Sequence, residues 1–171
     1  MMPRVERPAM SDYGVPAELD GALPWEWAQE RLIRNKNYWV VTVSADGRPA
    51  AMPVWGAWLA DDTFWFSCSP NARKVRNLAS NPNCAVMIDD TVECVSVEGV
   101  ARRVDPDSDA DAVSRAAAAW VTKYWDDPSQ HDEMTGFFRS NALYEVAPTK
   151  AYGMIEREED FGPKATRWVF P

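Results

Sequence analysis

Hydrophobic positions after residue 23 change from a helical to a strand pattern. Trp25, Ala28 and Leu32 recur at the spacing of one helix face, directly after a proline that suits a first helical turn. Residues 38–45 are β-branched and aromatic, and an Asp-Gly pair follows as a tight-hairpin signal. This order predicts one helix that ends near residue 35, followed by the first strand of an antiparallel hairpin.

The rest of the chain alternates between short strand patterns and two helices. The helices are predicted at residues 71–80 and from residue 105 onward, while residues 126–135 and 156–162 are predicted to be loops. The further strands are predicted at residues 50–59, 63–67, 84–89, 93–104, 142–146, 150–156 and 165–170.

Short turns between most of these strands imply antiparallel pairing. Six or more such strands favour a closed barrel, because closure removes exposed sheet edges. The fold class is therefore mainly β with inserted helices, and residues 24–171 are predicted to form a closed or nearly closed antiparallel barrel. Residues 1–23 have three prolines and no apolar core, which predicts a flexible or loosely docked arm. Tyr13 and the prolines suggest that this arm closes over the functional site.

Composition excludes several function classes. A net charge of −8 opposes nucleic-acid binding, which needs a basic surface. No apolar run approaches the ~20 residues of a membrane span, and the N-terminus does not have the pattern of a signal peptide. The sequence has three cysteines without paired spacing and one histidine, His131, in a polar stretch. This predicts neither a metal site nor a Ser-His-Asp catalytic triad. We expect a cytoplasmic protein.

The segment SCSPNARKVRNL, residues 67–78, is the most informative. A strand ends at Ser67, Ser69 precedes a proline at a helix start, and Arg73 and Lys74 follow in the first half of the helix. A helix N-terminus presents unpaired N–H groups and a partial positive charge, so the segment suits a phosphate group. The alternative is a capped surface helix with solvated basic side chains.

Two further segments suit an aromatic ligand. In AMPVWGAW, residues 51–58, Pro53 cannot donate a ladder hydrogen bond and the glycine allows close backbone approach, so a planar ring could lie beside Trp55. The alternative is an aromatic core strand. Near the C-terminus, Arg167 and Trp168 place a charge beside an indole, which would suit a dimer partner's pocket or a simple surface strand.

Together these segments resemble the pyridoxamine 5′-phosphate oxidase-like split-barrel flavoproteins, and most of all the actinobacterial branch that uses the deazaflavin coenzyme F420. The resemblance covers residues 24–170. It rests on the run YWVVTVSADGRPAAMPVWGAWLADDTFWFSCSPNARKVRNLASNP, followed by VEGVARRV, LYEVAPTKAYGM and ATRWVF.

The resemblance implies a six-stranded antiparallel split β-barrel of the FMN-binding type. It also implies a homodimer with two cofactor sites in grooves between the subunits. It implies three sets of cofactor-binding residues: Met52, Pro53, Val54 and Trp55 beside the ring, Ser67, Ser69, Arg73, Lys74 and Asn77 at the phosphate, and Arg167 and Trp168 from the other subunit.

The activity implied is hydride transfer from reduced F420 to a planar, conjugated small molecule such as a quinone, an enone or a tetrapyrrole, with no catalytic side chain assigned. Cys94 stands where FMN-using members have a glutamine, which weakens FMN as the cofactor. The residues that would bind a vitamin B6 phosphate are not evident. Two alternatives stay open: an FMN oxidoreductase of the same fold, and a non-catalytic cofactor or tetrapyrrole binder.

Overall fold

Six antiparallel strands close into a barrel in the computed structural model, which describes residues 2–171. The strands are β1 (Arg4–Glu6), β2 (Asn37–Val43), β3 (Pro49–Trp58), β4 (Phe64–Cys68), β5 (Asn83–Ile88), β6 (Glu93–Arg103), β7 (Ala142–Ile155) and β8 (Thr166–Val169). The helices are α1 (Trp25–Arg34), α2 (Arg73–Ser80), α3 (Ala110–Tyr124), α4 (His131–Ser140) and α5 (Glu158–Lys164). Among the described residues no helix is long and apolar enough to cross a membrane.

The barrel runs in the order β2-β3-β4-β7-β6-β5 and closes through the pairing of β5 with β2. β8 pairs with the end of β7 and β1 pairs with β8, so these two strands extend the sheet beyond the barrel. This architecture confirms the predicted mainly β, six-stranded antiparallel split barrel.

Side chains alternate between the barrel interior and its outer surface, as the strand period requires. In β2, Tyr38, Val40 and Thr42 are buried while Trp39 between them is 41% exposed. The interior is filled by aromatic and branched side chains from all six barrel strands and by α1. A second apolar cluster lies outside the barrel, where α3 and α4 cover Trp65 and Leu143.

The predicted break between residues 146 and 150 is wrong, because β7 is one continuous strand. It pairs with β6 on both sides of Pro148, and the register shifts between Glu98 and Gly99, so that Thr149 has no partner on β6. The hydroxyl of Thr149 donates to the carbonyl oxygen of Glu98 at 3.1 Å. This irregularity accommodates the proline without ending the strand.

Two segments predicted to be loops are partly helical. Residues 131–135 begin α4, after a turn in which Asp127 accepts a hydrogen bond from the backbone N–H of Ser129. Residues 158–162 belong to α5, whose first turn carries three acidic side chains at the positive helix end. The polar and charged composition of both segments obscured these short helices.

The N-terminal arm, predicted to be flexible, lies against the barrel in this structure. β1 pairs with β8, and the guanidinium of Arg7 donates to the carbonyl oxygens of Glu18, Asp20, Pro163 and Ala165. The arm therefore adds a strand and a network of hydrogen bonds to the C-terminal end of the fold.

Candidate functional site

A cavity of about 400 Å³ lies between β2, β3 and the N-terminus of α2. Its lining is mainly apolar, with one hydroxyl and two cations. The lining residues are Val40, Thr42, Ala50, Ala51, Met52, Ala72, Arg73 and Lys74. Ligand pockets typically enclose about 300–1,000 Å³ and combine apolar walls with a few polar groups, and this cavity has both properties.

The cavity contains the first turn of α2. The helix begins at Arg73, two residues later than predicted, and its N-cap residue Ala72 provides no side-chain hydrogen bond. The serine that was expected to cap it, Ser69, instead accepts from the backbone N–H of Asn71 in the preceding turn. Within residues 2–171 no side chain caps α2. The N–H of Val75 bonds to the carbonyl oxygen of Ala72, so the N–H groups of Arg73 and Lys74 are the ones that could bind a ligand.

The cations at this helix end also have no acidic partners. Neither Arg73 nor Lys74 forms an ion pair within residues 2–171. The protein carries a net charge of −8, so carboxylates are plentiful elsewhere. Arg73 is close enough to Asp46 to help lower the pKa of that carboxyl. Two cations without an ion pair beside a helix N-terminus thus give an acidic protein a local positive region.

One edge of β3 is open beside the cavity. Residues 49–55 pair with β2, but only Gly56, Ala57 and Trp58 pair with β4. Gly56 is required where β3 meets β4, because a Cβ there would overlap the ring of Phe64. The first seven residues of β3 therefore present one side of their backbone without a strand partner in the described part of the chain.

A polar groove of about 540 Å³ adjoins the cavity and shares Arg73 with it. Its lining residues are Ser44, Ala45, Asp46, Arg48, Arg73, Arg76, Asn77 and Ser80. Asn77 is buried and donates to the hydroxyl of Thr42 at 2.9 Å, which ties α2 to β2. Arg48 pairs with Asp46, and this contact lowers the pKa of the Asp46 carboxyl.

Cys68 lies just before the turn into α2, and its side chain packs against the barrel core. Burial raises the pKa of its thiol, whereas the charges of Lys74 and Arg103 act in the opposite direction. Because both cations are close enough to act on Cys68, Arg103 extends the positive region around the cavity. Arg103 forms no ion pair with the residues from 2 to 171.

Of the residues predicted from the sequence, the structure brings Met52, Arg73 and Lys74 together at the cavity. Asn77 lies in the adjoining groove and Ser69 in the exposed turn that leads to α2. These five residues form one region around the N-terminus of α2.

The other predicted β3 residues do not line this cavity. Val54 is buried in the barrel core, and Pro53 and Trp55 alternate with it on the outer face of the strand. Trp55 is 61% exposed and stacks on Tyr124 of α3, with ring centroids 5.5 Å apart. Only the backbone of this stretch, not these side chains, lies along the open edge of β3.

Ser67 is also separated from the cavity. It pairs with Leu143, whose side chain lies in the cluster under α3 and α4. Because paired residues share one face of a sheet, the side chain of Ser67 also faces this cluster. Its hydroxyl is buried and has no hydrogen-bond partner within residues 2–171. The side chain that follows it, Cys68, is the one that faces the barrel core.

The C-terminal pair does not form an exposed charge and indole. Trp168 is fully buried in the core, where its ring lies 5.3 Å from that of Trp25. Arg167 pairs with Glu6 of β1, and this contact raises the pKa of the guanidinium. The side chain of Trp168 is therefore a core residue of its own protomer.

Two further sequence arguments concern positions away from the cavity. Cys94 on β6 pairs with Met154 on β7, and it does not line the cavity. The single histidine, His131, begins α4 and lies 3.3 Å from the hydroxyl of Ser114. No group of three potential metal ligands occurs in the part of the chain that the structure describes.

Sequence reasoning missed Thr42, Arg48 and Arg103 as parts of this region. Thr42 could have been suspected, because a polar residue at an inward position of a strand needs a partner. Arg48 and Arg103 give no such signal, because their approach to α2 depends on the closure of the barrel.

The chain belongs to the pyridoxamine 5′-phosphate oxidase family, whose model matches residues 25–152. A search of curated proteins found no match. The matched range includes β2 to β6, α2 and most of β7, and thus every residue of the cavity.

Solved structures share the fold at low identity. A conserved hypothetical protein from Mycobacterium tuberculosis is 17% identical with a TM-score of 0.69, covering 83% of this chain and 91% of that one. The heme storage protein HutZ from Vibrio cholerae is 22% identical with a TM-score of 0.54, covering 72% and 86%. An F420 reductase is 21% identical with a TM-score of 0.51, covering 72% and 94%.

Proposed function

We propose that the protein is an oxidoreductase that uses reduced F420 to reduce a conjugated small molecule. The observation that carries this proposal is the uncapped N-terminus of α2, where Arg73 and Lys74 lack acidic partners and line a cavity. A phosphate at this point would receive backbone N–H groups and two charge-assisted hydrogen bonds. The resemblance to F420-using proteins agrees with this placement.

The cavity and the open edge of β3 fit the ring of such a cofactor. Met52 provides an apolar contact, and the unpaired backbone of residues 49–55 offers donors and acceptors to polar ring atoms. Ser69 and Asn77 would support the phosphate end, Ser69 from the turn and Asn77 through its bond to Thr42. The side chains of Ser67, Val54 and Trp168 do not belong to the proposed site, because they point away from the cavity or into the core.

The polar groove favours F420 over FMN. FMN ends at its phosphate, whereas F420 continues beyond its phosphate into a tail that carries carboxylates. The groove extends the cavity past Arg73 and adds Arg76, together with Arg48 in its ion pair with Asp46, so it provides a further cation where such a tail would run. FMN would leave this groove without a ligand group.

When bound, reduced F420 supplies the hydride that reduces the acceptor. The protein's own residues bind the phosphate, orient the ring against β3 and keep water away with apolar walls. No acidic or histidine side chain lines the cavity among residues 2–171. The proton that balances the reduction therefore comes from solvent or from a hydroxyl group in the groove.

We also propose that the protein is a homodimer. The outer face of β2, β3 and β5 carries a continuous apolar row, in which Trp39 lies opposite both Pro53 and Met87. The row consists of Trp39, Val41, Ala51, Pro53, Ala85 and Met87. Stable interfaces bury about 800 Å² per partner and are rich in Trp and Met. This face carries both residue types beside the cavity. Arg167 would then be available to a partner's site.

A non-catalytic tetrapyrrole binder is the second candidate, since the heme storage protein HutZ shares the fold. The chain has one histidine, which lies on α4 and does not line the cavity. Haem iron most commonly takes a histidine as its axial ligand. The cavity at α2 therefore offers less to a haem than to a phosphate-bearing cofactor.

An anaerobic turnover assay tests the proposed activity. Reduced F420 is mixed with the protein and menadione, a quinone, and oxidation of the cofactor is followed by its absorbance. We expect saturable oxidation well above the protein-free rate. Absence of turnover, together with tight stoichiometric binding of hemin, would support the storage alternative instead.

A further inference from the structure

A second groove, separate from the cavity at α2, lies between α1, the end of β3 and α3. It encloses about 460 Å³. Its lining is apolar apart from one hydroxyl and one ammonium group. The lining residues are Ile33, Ala57, Trp58, Leu59, Ala60, Ala118, Ala119, Thr122 and Lys123.

Lys123 is the unusual member of this lining, because it is a half-buried cation without a carboxylate. Its Nζ donates to the hydroxyl oxygen of Tyr38 at 2.7 Å and lies 4.9 Å from the Tyr38 ring. No ion pair involves Lys123 in the chain from residue 2 to 171. An ammonium group carries three donors, so two remain for other partners.

The surroundings of Lys123 offset only part of the cost of burying its charge. The Tyr38 hydroxyl also bonds to the carbonyl oxygens of Leu32 and Asn35 at the C-terminal end of α1, which is the negative end of the helix. The nearest titratable group of like charge, Lys36, acts against the ammonium. Buried charges are otherwise paired or bind ligands of opposite charge.

We propose that this groove binds a small monocarboxylate with an apolar tail. The carboxylate would accept the free donors of Lys123, and the tail would lie along Ile33, Leu59 and Ala119. Lys123 has no carboxylate partner and therefore favours an anion. The alanine-rich wall that α3 contributes to the groove favours an apolar tail. This proposal does not depend on the function proposed for the cavity at α2.

The test is isothermal titration calorimetry of the full-length protein with decanoate, and with decanol as the uncharged comparison. We expect saturable binding of decanoate that weakens about tenfold or more in Lys123→Met. Lys36→Met removes a neighbouring exposed charge and should leave the affinity within about twofold. Decanol should bind wild type and Lys123→Met alike.

Ala119→Phe fills the groove and leaves Lys123 in place, so it tests the site even if Lys123→Met does not fold. We expect it to weaken decanoate binding by at least about tenfold as well. The proposal is overturned by the absence of saturable binding, by equal affinity in Lys123→Met, or by equal affinity in Ala119→Phe. A halved solution mass of Ala119→Phe would also overturn it, because the groove would then be an interface between copies.

Discussion

The hydroxyl of Tyr124 on α3 bonds to both backbone groups of Gly56 on β3. It accepts from the Gly56 N–H at 3.1 Å and lies 2.9 Å from the Gly56 carbonyl oxygen, with the Lys36 carbonyl oxygen at 2.8 Å. These contacts occur at the point where β3 ends its pairing with β2 and begins its pairing with β4. A residue of α3, which lies between β6 and β7 in the chain, thus provides hydrogen-bond partners for backbone groups where the pairing of β2 with β3 ends.

Replacing Tyr124 with Phe should destabilise the fold by about 1–2 kcal/mol, because the part-buried backbone groups of Gly56 lose their partner. Burial raises the pKa of this phenol to about 12, so the hydroxyl keeps its proton at neutral pH. Urea unfolding of Tyr124→Phe and wild type measures the difference. An unchanged free energy of unfolding would indicate that water replaces the hydroxyl without cost.

Gly56→Ala should destabilise the protein by about 1–3 kcal/mol, because the added methyl group overlaps the buried ring of Phe64. Gly136→Ala is the matched control, since a Cβ there meets nothing within 4 Å and the residue lies inside α4. The control should be neutral or stabilising by up to about 1 kcal/mol. Equal melting temperatures for the two variants would contradict the close packing assigned to Gly56.

Trp39→Glu should convert the proposed dimer into monomers, because it places a charge in the centre of the apolar outer row. Val92→Glu is the control, since Val92 is 48% exposed in the turn between β5 and β6, outside that row. Sedimentation equilibrium should give wild type and Val92→Glu twice the chain mass of 19.3 kDa, and Trp39→Glu the single-chain value. A dimeric Trp39→Glu would require an interface elsewhere.

Lys123 predicts a specific dependence of stability on pH. Burial, and to a smaller extent Lys36, lowers its pKa from 10.5 to about 8. Between these values the unfolded chain binds more protons, so the free energy of unfolding of wild type rises with pH. Relative to Lys123→Met, wild type should gain about 1–2 kcal/mol between pH 7 and pH 10, which is less than the full pKa difference implies because solvent screens this half-exposed group. A constant difference in the free energy of unfolding would mean that Lys123 keeps its ordinary pKa.

Much of the fold was predictable, because β-branched and aromatic runs followed by turn residues, such as residues 38–45 before Asp46-Gly47, mark strands and hairpins. The site was predictable only where its residues are close in sequence, as Arg73 and Lys74 are. The directions in which the side chains of Ser67 and Trp168 point were not predicted. Packing between distant segments decides which side of a strand faces the barrel interior and which side faces α3 and α4. The bulge at Thr149 depends in the same way on the partner strand β6.

The measurement that tests the central claim most directly is a fluorescence titration of the purified protein with F420 and, in parallel, with FMN. We expect tight saturable binding of F420, weaker binding of FMN, and a loss of about 1.5–3 kcal/mol of F420 binding free energy in Lys74→Ala. Arg34→Ala, which removes a cation at the end of α1 that lines neither the cavity nor the polar groove, should bind F420 as wild type does. Tighter binding of FMN than of F420 would contradict the cofactor assignment, and unchanged affinity in folded Lys74→Ala would contradict the phosphate site at α2.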